Sequence, residues 1–159
     1  MNRRVVLAAI GCTAALLTAA AAQEPAAPQA PPFVGAAACK ECHADIHQAW
    51  AESKHSNTFN RLDLADRTNA ECLRCHVTGT PEMIAAEGAK PSLPGVQCEA
   101  CHGSGRAHIE AAKAGAVKKG LVVRKPDEKN CTQCHNPKSP HYRPFFYAAM
   151  TGLVHRVKK

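Results

Sequence analysis

The chain has 159 residues, a formal charge of +7 and only 4% aromatic residues. A polypeptide so poor in large apolar side chains is not held together by side-chain burial alone and needs another filler for its interior. The basic balance does not point to nucleic acid, because Lys118-Lys119, Arg124-Lys125 and Lys158-Lys159 read as solvated faces.

Along the chain, Asn2-Arg3-Arg4 is a short basic start and Val5 to Leu17 an apolar run. Thr18 to Gln23 then offers an Ala-x-Ala site, best cut after Ala22. This is the pattern of a secretory signal peptide over residues 1–22. An uncleaved anchor fits less well, since Val5 to Ala22 is barely long enough to span and is largely alanine. Ala9-Ile10-Gly11 is a poor lipobox for Cys12. Residues 23–32, rich in Pro, Ala and Gln, are expected to be a leader without packed structure. Residues 33–159 form the expected domain, exported to the periplasm without stable membrane insertion.

Eight of the nine cysteines then fall into four pairs, each followed by histidine. They are Cys39-Lys40-Glu41-Cys42-His43, Cys72-Leu73-Arg74-Cys75-His76, Cys98-Glu99-Ala100-Cys101-His102 and Cys131-Thr132-Gln133-Cys134-His135. Cys-x-x-Cys-His is the attachment signature of haem c. On a helical turn, positions i, i+3 and i+4 share one face. Two thiols can therefore reach the vinyl groups of one porphyrin while the histidine reaches its iron. Structural zinc uses Cys-x-x-Cys pairs but leaves the four histidines idle. Disulfides suit an exported chain but do not explain them either. A thioredoxin-like motif needs one pair in a βαβ context. Four covalently bound haems are expected, with His43, His76, His102 and His135 as proximal ligands.

Five histidines are left over: His47, His55, His108, His141 and His155. With few methionines in the chain, this supply favours irons with two histidine ligands, hence low potentials. His47 lies one turn beyond His43 in the helical stretch Ala44 to Trp50, on the proximal side, and is expected at the surface or beside a propionate. His55 is expected to end that helix as an arm that can reach another haem. Thr80-Pro81-Glu82 opens a helix with a capping hydroxyl and Pro at the first position, and Gly88 ends it. Lys90 to Gly95 is a Pro/Gly loop. His108 starts a helix from Arg106 to Lys113, stopped by Gly115. Only six residues separate it from His102, so it is expected to cap a different haem. His141 sits in a turn and its role stays open. His155 follows a helical segment from Phe145 to Val154. The motif starts, 39, 72, 98 and 131, are spaced by 33, 26 and 33 residues, as an old duplication would leave them. The fold class is mostly α with long loops and little or no β-sheet, organised around four haems.

Val34-Gly35-Ala36-Ala37-Ala38-Cys39, Trp50 and Ser53-x-His55 resemble the opening of the cytochrome c-554 family. Gly95-Val96-Gln97-Cys98-Glu99-Ala100-Cys101-His102-Gly103-x-Gly105-x-x-His108 is similar to that family's third haem segment. Ser139-Pro140-His141 and the aromatic helix before His155 are similar to its C-terminus. The resemblance covers roughly Phe33 to His155. It implies a compact tetrahaem electron carrier whose haems pack edge to edge and in stacked pairs. It also implies that His55, His108 and His155 are distal ligands. In the family's best-known member the second haem lacks a distal protein ligand, which here would be the haem at His76. The expected function is electron transfer between redox partner proteins, without catalysis. The competing functions are reduction of nitric oxide or a nitrogen oxyanion at the open iron, and a haem-sensing or structural subunit.

Overall fold

The computed structural model describes residues 32–154. The signal peptide, the leader up to residue 31 and His155 lie outside the described residues. Among the described residues eight short helices carry the fold: α1 (Ala36–Lys40), α2 (Ala44–Ala51), α3 (Ala70–His76), α4 (Pro81–Glu87), α5 (Cys98–His102), α6 (Arg106–Lys113), α7 (Glu128–Thr132) and α8 (Tyr147–Val154). Two 3-10 turns, Phe59–Arg61 and Asp66–Thr68, precede α3. Among the described residues the β pairing is one isolated antiparallel bridge, Val77 to Pro94. The expected class, short helices and long loops with almost no sheet, is what the chain adopts. No helix among the described residues is long and apolar enough to cross a membrane.

Local chemistry explains the helix ends. The Asn69 side chain accepts from the Glu71 N–H at the start of α3, and the Thr80 hydroxyl accepts from the Met83 N–H at the start of α4. Asp127 and Asn130 form a reciprocal capping box on α7, which carries Cys131. Asp127→Ala should cost the protein about 1 kcal/mol, read as a lower melting temperature with haem content unchanged.

α2 is shorter than the sequence suggests. It stops at Ala51, and His55 lies in the turns beyond it rather than at a helix end. The Ser56 hydroxyl explains the stop: it reaches the Ala51 and Ser53 carbonyls at 2.9 and 2.8 Å. This offers the helix-end carbonyl a side-chain donor in place of the next backbone turn.

The apolar core among the described residues is one small cluster, Phe59, Leu73, Val77 and Ile84, with Leu62 packed against it and the Arg67 guanidinium over the Phe59 ring. Elsewhere, buried polar side chains fasten the loops. The Thr78 hydroxyl donates to the Gly95 carbonyl and accepts from the Gln97 N–H, both at 2.8 Å. The Gln97 side-chain oxygen accepts from the Ala36 N–H at 2.6 Å. Thr78, Gln97 and Glu99 are all under 10% exposed, so each pairing replaces water that the buried group has lost.

Candidate functional site

All four Cys-x-x-Cys-His motifs keep the helical turn that their spacing requires. Motifs 2 and 3 lie inside α3 and α5. In motif 1 the His43 N–H donates to the Cys39 carbonyl at 3.0 Å, and in motif 4 the His135 N–H donates to the Cys131 carbonyl at 2.9 Å. Cysteine and histidine thus share one face in each motif. Seven of the eight motif cysteines are half-buried and Cys42 is exposed. No three His, Cys, Asp or Glu side chains among the described residues gather closely enough to hold a single ion, which is the arrangement structural zinc would need.

Thiols of different motifs are neighbours. Cys39 and Cys98 hydrogen-bond to each other: Cys39 is pushed well up by that bond and by its burial, and Cys98 is lowered by the same bond. Cys134 is pushed up to about 12 by burial and by its hydrogen bond with Cys75. Motif 1 therefore adjoins motif 3, and motif 2 adjoins motif 4.

The extra histidines meet motif histidines from distant parts of the chain. The His43 and His108 ring centroids are 6.4 Å apart with planes at 16°. Those of His55 and His135 are 6.1 Å apart with planes at 70°. A first-row metal holds an imidazole nitrogen at about 2 Å, and the ring centroid lies ~1 Å further out. Two axial imidazoles on one iron thus stand about 6 Å apart, and both pairs fit that spacing. His108, only six residues past His102, faces His43.

Backbone carbonyls orient the other two motif rings. His76 Nδ1 lies 2.8 Å from the Thr58 carbonyl and His102 Nδ1 lies 2.5 Å from the Val123 carbonyl. A carbonyl only accepts, so each Nδ1 carries the proton and Nε2 keeps its lone pair for a metal. A small cleft is lined by Trp50, His55, Cys98, Cys101, His102 and Val154.

His47 is half-buried, 5.3 Å from the Trp50 ring, and His141 is exposed in its turn. Three supports escape a motif search. Phe145 stacks on His135 at 4.8 Å and 19°. The Trp50 indole N–H donates to the Val96 carbonyl at 2.8 Å. The Val96 N–H in turn donates to the His55 carbonyl at 2.9 Å, anchoring the His55 arm. Trp50 carried some signal as the chain's one tryptophan; the carbonyl partners carried none.

Residues 38–103 match the family described as cytochrome c554 and c-prime. The chain is 30% identical over 163 aligned positions to cytochrome c-554 of Nitrosomonas europaea, covering 83% of this chain and 68% of that protein. A solved structure, the reduced state of cytochrome c554 from Nitrosomonas europaea, aligns with a TM-score of 0.44 at 25% identity, covering 77% of this chain and 78% of that one.

Proposed function

The chain belongs to the cytochrome c-554 family, and from that premise we propose that it is an exported four-haem protein passing electrons between redox proteins. The family consists of c-type cytochromes, which hold haem covalently and carry electrons. In this reading Cys39 and Cys42, Cys72 and Cys75, Cys98 and Cys101, and Cys131 and Cys134 each bind one haem. The cofactor supplies a one-electron iron couple. The protein's residues decide how that couple behaves.

The observation that carries the proposal is the pair of histidine couples, His43 with His108 and His55 with His135, at 6.4 and 6.1 Å. An iron held by two imidazoles on fixed segments has no exchangeable position and changes little on gaining an electron. Such a site suits transfer and not substrate chemistry. The family resemblance adds His155 as a further distal ligand and makes the iron of His76 the open one. Each distal histidine comes from a remote segment, so ligation joins parts of the chain and contributes to folding. The porphyrin faces then supply the apolar surface that the small protein core lacks.

Intact mass of the exported protein should equal the chain from Gln23 plus four haems. Stopped-flow mixing of the reduced protein with an oxidised cytochrome should show fast oxidation. Nitrite, hydroxylamine and nitric oxide should oxidise it slowly. Repeated turnover of any of these three at about 1 per second or faster would replace the carrier reading with an enzymatic one.

A further inference from the structure

Glu99 is the first variable residue of motif 3 and is 3% exposed. Its carboxylate receives every one of its hydrogen bonds described here from backbone. The Gly35 N–H donates to Oε2 at 2.7 Å, the Gly105 N–H donates to Oε1 at 2.7 Å, and the Val34 N–H is shared between both oxygens at 3.0 Å. These three donors are neutral amides. They satisfy the buried oxygens in place of water and bring no opposing charge.

The position of that charge is specific. Glu99 rides on α5 between Cys98 and Cys101. The amides it grips, at Val34 and Gly35, lead directly into α1, which carries Cys39. It thereby clamps motif 1 against motif 3. Gly35, whose N–H the carboxylate holds, is itself in contact with the Cys39 sulfur through its carbonyl at 3.6 Å, and Cys98 is the residue next to Glu99, so the carboxylate stands close to the attachment sulfurs of both motifs. A buried charge is screened far less than a surface one, and nearby fixed charge is one of the levers on a haem's potential. A fixed anion opposes the arrival of an electron.

We propose that Glu99 is a built-in anion that lowers the reduction potentials of the two irons at His43 and His102 and leaves those at His76 and His135 unaffected. This rests on haem occupying motifs 1 and 3. Glu99 would then act in two ways, as a clamp that sets the spacing of these motifs and as a charge that makes both irons harder to reduce.

The test is a potentiometric titration of the exported holoprotein, wild type against Glu99→Gln, with haems counted by intact mass. Two of the four midpoints should move positive and two should stay. The shifted ones are assigned by repeating the titration with His108→Ala, which marks the His43 iron by its spin state. Four loaded haems with no midpoint moved, or with all four moved alike, would overturn the proposal. Glu99→Asp keeps the charge but shortens the reach to the amides. It should lower the melting temperature and leave the midpoints near wild type; a positive shift of the same pair would show that clamping, and not charge, sets them. Should Glu99→Gln load fewer than four haems, the aspartate variant decides alone. A wild-type mass without four haems would instead refute the haem assignment itself.

Discussion

Replacing His108 with alanine is expected to convert the iron at His43 from six-coordinate low spin to high spin, leaving the irons at His102 and His135 as they were. His108 lies in the first turn of α6, whose start is tied down by the Glu99 carboxylate through Gly105 and by the Arg106 N–H on the Pro32 carbonyl at 3.4 Å. α6 itself therefore has no reason to move when the imidazole is removed. What changes is the ring 6.4 Å from His43. The planes of this pair are nearly parallel, at 16°. Parallel axial rings separate the energies of the two iron d orbitals that overlap them, which gives a rhombic low-spin EPR signal. One such contribution should disappear from the oxidised protein as a high-spin signal grows. His47→Ala is the control: its ring faces Trp50 and not a motif histidine, so it should leave every spin state unchanged. Loss of ligation also removes a link between α6 and the start of α2, so the melting temperature should fall in the His108 variant. A crystal structure with His108 on the iron of His102 would refute the assignment.

That result would also test how far the chain could be read from its residues. The four motifs were legible because their chemistry is local: five consecutive residues on one helical turn place two thiols and an imidazole together. So were the starts of α4 and α6, which Thr80-Pro81 and the run from Arg106 specify within a few residues. The inference that His108 avoids its own neighbour was a tether argument, also local. His55 was harder. Its helix ends four residues early because the Ser56 hydroxyl reaches back to Ala51, an interaction no periodicity announces. Its partner, His135, is eighty positions away, and the match depends on the anchoring of the His55 carbonyl by the Val96 N–H and on the Phe145 ring stacked on His135. The outcome interlocks the two halves of the chain. The arm after motif 1 faces the histidine of motif 4, and the arm after motif 3 faces that of motif 1. The regular motif intervals gave no hint of that exchange. Glu99 was equally silent, since the variable positions of a haem motif look free until their burial is seen.

The second large effect is expected from a residue that binds nothing. Gly95 adopts φ +85, and a Cβ built there would lie 2.6 Å from the Ser56 carbonyl oxygen and 3.2 Å from that of His55. An L side chain in left-handed backbone costs about 1–2 kcal/mol, and a contact this short forces one segment to retreat. The Gly95 side cannot retreat easily. Its N–H donates to the His76 carbonyl at 3.0 Å, its carbonyl accepts from the buried Thr78 hydroxyl, and Val96 and Gln97 are bonded on either side. The His55–Ser56 segment is the one that yields, and His55 carries the ring 6.1 Å from His135. Gly95→Ala should therefore loosen or break ligation at the motif 4 iron without touching either of its ligands. The signature differs from that of His108→Ala. Planes at 70° leave the two d orbitals nearly equal in energy, so the signal that weakens should be the strongly anisotropic low-spin type, not the rhombic one. Gly88→Ala separates strain from contact: Gly88 also has positive φ, at +56, but a Cβ there meets nothing within 4 Å. It should lower the melting temperature through backbone strain alone, by about 4 °C per kcal/mol in a domain of this size, with all spin states intact. If Gly95→Ala behaves like Gly88→Ala, with its low-spin signals unchanged, the 93–97 loop does not position His55.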